Sequence, residues 1–188
     1  MERSFEAVLV EQCATTLAGV KPASLFRYQG ADKRQPGEAA ARWAKELAPY
    51  GITIRDLKYC PQTGACLIYL YRAGWLRSIL SEPSTRAFLA GQGYGADQSC
   101  QELLRQLSRR LCLEREFPHE IGVFLGYPLE DVVGFIRNRG RNYTCCGYWK
   151  AYGDPEAAQK RFDQYRRCTA ACCEQFRKGT AITQLIAA

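Results

Sequence analysis

His119 is the single histidine in a chain of 188 residues, and it stands beside Glu120 at the head of the run HEIGVFLGYPLEDVVGF, His119 to Phe135. Imidazole is the side chain whose ordinary charge change falls near neutral pH, so His119 is a candidate general base for a thiol or hydroxyl nucleophile. Glu120 is the candidate orienting group or separate acid. If the segment is extended, adjacent side chains point to opposite faces and the two do not share a pocket. The plainer reading is a histidine at a strand entrance satisfied by backbone contacts. Cys60, Cys66, Cys145, Cys146 and Ser24 are the candidate nucleophiles, and none stands in a recognisable nucleophile motif.

Metal chemistry would need ligands at the right spacing. Cys168 and Cys172 are one helical turn apart, with Cys173 next to them, but no C-x-x-C pair occurs and the histidine is distant in sequence. Buried packing is therefore the expectation, and no metal site is assigned. Cys60 and Cys66 flank a hairpin turn and would face one another if the register were symmetric about Thr63. Gly91, Gly93 and Gly95 do not form a phosphate cradle, because a helix and not a strand precedes them. Asp131 reads as a helix-start acid rather than a catalytic one.

A second constellation is suited to binding. Lys21 and Ser24 in the turn Lys21-Pro22-Ala23-Ser24, Tyr127 in Gly126-Tyr127-Pro128, and Tyr148-Trp149-Lys150 are candidate ligand-binding residues. The two lysines would attract an anionic group and the rings would supply contact area. Arg137, Arg139 and Arg141, followed by Lys160, Arg161, Arg166, Arg167, Arg177 and Lys178, add positive charge around these aromatics. Arginine with exposed rings also suits single-stranded nucleic acid, but no nucleic-acid-binding motif is present and that partner is disfavoured.

The elements that must position these residues follow from periodicity. Phe5, Leu9 and Cys13 mark a helix from about Arg3 to Leu17, followed by a strand over 23–28. Ala40, Trp43, Ala44 and Leu47 form the face of a second helix that starts at Pro36. Ile54 to Cys60 and Ala65 to Tyr71 alternate around Pro61-Gln62-Thr63-Gly64 and read as a β-hairpin over 54–71. Short helices are expected over 75–80 and 84–89. A longer one starts at the Ser99/Glu102 capping box and carries Leu103, Leu104, Leu107 and Leu111. Ile121 to Leu125 reads as a fourth strand, Leu129 to Ile136 as a helix and 145–152 as a fifth strand. A last helix runs from Asp154-Pro155 to about Lys178. The expectation is an α+β fold: one domain over 1–188, with a mixed, mainly antiparallel sheet of about five strands packed against amphipathic helices. Residues 180–188 read as a loosely ordered tail.

Composition sets outer bounds. At 47% hydrophobic residues the chain can bury one substantial core. The start MERSFE lacks the basic and apolar regions of an export signal, and no apolar window approaches the ~20 residues of a membrane span. The ten cysteines are then expected as thiols in a reducing cytoplasm. A formal charge of +7 favours acidic partners.

Leu17-Ala18-Gly19-Val20-Lys21-Pro22-Ala23-Ser24-Leu25-Phe26, His119 to Pro128, Asp131-Val132-Val133-Gly134-Phe135 and Gly147-Tyr148-Trp149-Lys150 resemble an uncharacterised bacterial family, the domain-of-unknown-function family numbered 3793. The resemblance spans nearly the whole sequence and carries no catalytic residues with it. It implies a setting beside flavodoxins and iron-uptake proteins, hence redox or iron metabolism. Flavodoxins are acidic, which suits a basic partner. Two readings follow, and no cofactor is assigned in either. One is a cytoplasmic ligand- or protein-binding domain with a cleft around His119, meeting an acidic protein such as a flavodoxin or an anionic small molecule. The other is a small enzyme using His119 as general base with a nearby Cys or Ser for acyl transfer or hydrolysis.

Overall fold

The computed structural model describes residues 3–32, 34–114 and 116–187. The chain divides into two compact units, Met1–Gly74 with Arg167–Ala188, and Trp75–Arg166.

The first unit is built on α1 (Phe5–Leu17), β1 (Ala23–Tyr28), α2 (Gln35–Leu47), β2 (Ile52–Tyr59) and β3 (Cys66–Arg72). The strands form one sheet in the order β1-β3-β2 with both pairings antiparallel. Alternation in the sequence turns Phe26, Tyr28, Ile52, Ile54, Ile68 and Leu70 to one face, where Phe5, Leu9, Cys13 and Leu17 of α1 meet them. Ser4 caps α1 by accepting from the Ala7 amide at 3.2 Å. At the other end of α1, Arg72 donates to the carbonyls of Thr16 and Leu17 at 2.8 and 2.7 Å, and to Ala187 O at 2.9 Å. One guanidinium thus meets two of the carbonyls at the helix terminus, while backbone amides that follow the helix meet those of Ala14 and Thr15. The segment expected as a tail carries a 3-10 turn, Ile182–Leu185, whose Ile182 is buried in the same core.

The second unit carries α3 (Ala73–Ser81), α4 (Pro83–Gly91), α5 (Cys100–Leu113), α6 (Ile121–Phe124), α7 (Leu129–Asn138), β4 (Cys145–Cys146), β5 (Lys150–Ala151) and the first turns of α8 (Pro155–Arg177), whose remainder belongs to the first unit. Ser99 and Glu102 make the reciprocal capping box at the start of α5, and Leu103, Leu104, Leu107 and Leu111 are buried along its inner side.

The fold is α+β, and its five strands lie in two small sheets with every pairing antiparallel, rather than in one mixed sheet. Two expected strands differ in form. Ile121 to Leu125 is helical, because the Ile121, Gly122 and Val123 amides turn back to the carbonyls of Pro118, His119 and Glu120. Residues 121–124 are all buried, and a wholly apolar run has no period that separates strand from helix. The stretch 145–152 is a tight hairpin in which Cys145 pairs with Ala151 and Cys146 with Lys150. Trp149 is drawn inward at its turn.

Candidate functional site

Glu120 and His119 diverge at the turn that opens α6. The Glu120 carboxylate is buried, 2.7 Å from the Arg110 guanidinium of α5 and accepting from the Tyr94 hydroxyl at 2.9 Å. Arg110 also pairs with Glu114 at 2.8 Å and donates to Gln92 O at 2.9 Å, so its charge is fully engaged. Burial, then the neighbouring Glu120 charge, raises the Tyr94 phenol well above its ordinary range. A hollow of about 500 Å³ lined by Gln92, Gly93, Gln106, Arg109, Arg110, Leu113 and Glu114 borders this network.

His119, by contrast, is exposed. Its ring lies between Phe117 and Phe135, at centroid distances of 5.9 and 4.8 Å. Among the described residues no thiol or hydroxyl hydrogen-bonds to the imidazole.

Tyr127 and Trp149 serve the interior of the same unit. Their rings stack at 4.9 Å, and Trp149 meets Phe162 edge-on at 4.5 Å. Trp149 Nε1 donates to Asp131 Oδ2 at 2.7 Å, while Asp131 Oδ1 accepts from the amides of Tyr152 and Gly153 at 2.6 and 3.1 Å. Asp131, read as a helix-start acid, is therefore the buried acceptor that fixes the β5 segment against α7. Burial pushes the Tyr127 phenol up to about 12, with Tyr165 adding to the shift. Tyr148 is partly exposed and lies edge-on to Tyr165 at 5.2 Å.

Lys150 takes a different direction from Trp149. Its ammonium donates to Gly140 O at 2.8 Å and lies over the rings of Tyr143 and Phe135, 4.9 and 5.9 Å from their centroids. Phe117, His119, Phe135, Lys150 and Tyr143 thus form a chain of neighbouring groups on the second unit, with Phe117 and Tyr143 about half exposed. Arg137, Arg139 and Arg141 are exposed beside it in sequence. Sequence reasoning placed Tyr143 with Tyr148 and Trp149 among the aromatics between the basic clusters, but it did not single out Phe117 or Phe135 as site residues. The available signal was the position of aromatics two residues from His119 and next to the arginines.

Lys21 and Ser24 belong to the first unit. Ser24 Oγ is 2.8 Å from Thr16 Oγ1 in a buried pair. Lys21 is 7% exposed, and burial lowers its ammonium to about 8, with Cys13 opposing the shift. The same burial raises the Cys13 thiol, which stays protonated at neutral pH.

All ten cysteines are free thiols. Tyr59, not Cys60, stands opposite Cys66, so the register sets Cys60 one step out of line with it. Cys60 is lowered by its hydrogen bond with the Thr63 side chain. Burial pushes Cys168 up to about 12, with Cys172 adding to the shift, and raises Cys172 and Cys173. Among the described residues no group of three or more His, Cys, Asp or Glu is placed to hold a metal ion. No helix among them is long and apolar enough to cross a membrane.

A family model described as "Protein of unknown function (DUF3793)" matches residues 9–186. No curated protein and no solved structure matches the chain.

Proposed function

This chain belongs to the DUF3793 family of proteins of unknown function, and we propose that it is a binding domain whose second unit docks an acidic protein through the surface around His119. One observation carries the reading. The exposed His119 ring, with Phe117 and the exposed Glu116 beside it in sequence, meets Phe135 of a stretch, Val132 to Gly153, that holds the exposed Tyr143 with Arg137, Arg139, Arg141 and Lys150 and no Asp or Glu. Aromatic and arginine side chains are the groups enriched where proteins meet, and one sign of charge steers an oppositely charged partner. His119 contributes contact area between two phenylalanines, whereas a general base needs its nucleophile within hydrogen-bond reach. The setting we propose is cytoplasmic redox or iron metabolism, with an acidic flavodoxin as the kind of partner.

Titration calorimetry of the protein with a flavodoxin, repeated across a salt series, tests this. The expected result is saturable binding that weakens as salt rises and is lost when Phe117 and Phe135 are both replaced by alanine. No binding at low salt, or binding indifferent to those replacements, contradicts it.

A further inference from the structure

We propose that Lys150 is the anchor of this surface and takes a single carboxylate of the partner, an Asp or Glu side chain; the proposal rests on reading the surface as a docking face. Lys150 is positioned by more than its own strand. Its stem leaves β5 opposite Cys146, and its Nζ is fastened to Gly140 O at 2.8 Å. That carbonyl is presented by a turn in which Arg139, Gly140 and Asn142 all have left-handed backbones, with φ of 51°, 71° and 58°. Two of these are not glycine, a conformation that persists only where the surroundings hold it. A Cβ at Gly140 would lie 3.1 Å from the Phe135 ring and 3.6 Å from Lys150 Nζ, so the turn, the ring and the ammonium are fitted together.

An ammonium has three donors, and Gly140 uses one. Among the described residues no Asp or Glu forms an ion pair with Lys150, and the two rings leave its charge uncompensated. A cation held in place before binding loses little freedom when an anion arrives. The amides of Arg139, Gly140 and Arg141 are taken by the carbonyls of Ile136, Phe135 and Asn138 at 3.3, 2.9 and 3.0 Å, so these three add no donor beside the ammonium. What remains is one point charge flanked by rings, and the acidic protein read as the partner of this face makes its ligand a carboxylate. Arg137, Arg139 and Arg141 supply long-range attraction around it.

The test uses a fluorescent glutamate-rich peptide, a phosphoserine peptide of equal charge and single-stranded oligothymidylate as probes on the full chain. Variants are Lys150→Met, which keeps an unbranched stem without the charge, and the triple Arg137→Gln, Arg139→Gln, Arg141→Gln. Expected is preference for the glutamate peptide, about tenfold weaker binding in Lys150→Met, and a reduced salt dependence in the triple variant. The Lys150 Nζ resonance of the unaltered protein, observed with ¹⁵N-lysine, should shift on adding the glutamate peptide. Peptide binding lost in the triple variant but unchanged in Lys150→Met, with a stationary Nζ resonance, overturns the role of Lys150 and leaves the docking face standing. Binding indifferent to every variant overturns both. Tighter binding of the phosphopeptide or the oligonucleotide overturns the carboxylate assignment.

Discussion

At Glu120 the side chain is committed to the interior, and its loss should be felt as stability. Glu120→Ala leaves Arg110 its bonds to Glu114 and Gln92 O but deprives the buried Tyr94 hydroxyl of its acceptor. Unfolding in urea should show a loss of about 2 kcal/mol, since a buried polar group left unpaired costs its desolvation. A loss below about 1 kcal/mol would mark the pair as no stronger than a surface bridge. Lys21 makes a pH-dependent case. Its ammonium has an ordinary value of 10.5 and sits at about 8 when folded. Between these values the unfolded chain holds a proton that the folded chain has released, so stability contributed through Lys21 rises as pH climbs through that window. Below about 8 both states are charged and the burial penalty is felt in full. Relative to Lys21→Met, the unaltered protein should gain up to about 3 kcal/mol across the window. Parallel pH profiles for the two proteins would remove that account. The sequence exposed Lys21 and Glu120 as candidates but not their burial, because the Arg110 and Cys13 contacts are made only once the helices pack.

At the scale of elements, the legible parts were those with a period. The alternation of β2 and β3, the steps of four in α1 and the capping box of α5 each specify a geometry through neighbours in sequence. The α6 turn and the β4–β5 hairpin were illegible for different reasons: the first is a wholly apolar run with no period, and the second is fixed by a partner distant in sequence. Asp131 on α7 gathers the Trp149 indole and two backbone amides, which breaks an otherwise continuous strand pattern. Gly134 records the same contact, since a Cβ there would lie 2.4 Å from Tyr152 Cγ. Gly134→Ala should therefore destabilise by about 1–3 kcal/mol by overpacking α7 against that segment. Gly74→Ala in α3 meets nothing within 4 Å and should stabilise by about 0.5–1 kcal/mol through lower chain entropy. Thermal melts of the two variants separate the cases, and equal shifts would deny the close approach at Gly134.

For the whole molecule, the excess of 26 basic over 19 acidic residues favours acidic partners without saying where they bind. The structure distributes that charge: Arg110 and Arg72 are consumed by internal contacts, while Arg137, Arg139 and Arg141 remain exposed, next in sequence to Phe135 and Tyr143. The docking claim is tested most directly by amide shift mapping of the ¹⁵N-labelled protein during titration with a flavodoxin. The predicted result is a contiguous set of shifted amides over Phe117 to His119 and Phe135 to Lys150, reversed by added salt. Shifts confined to the first unit, or none at protein concentrations that saturate ordinary transient complexes, would contradict it.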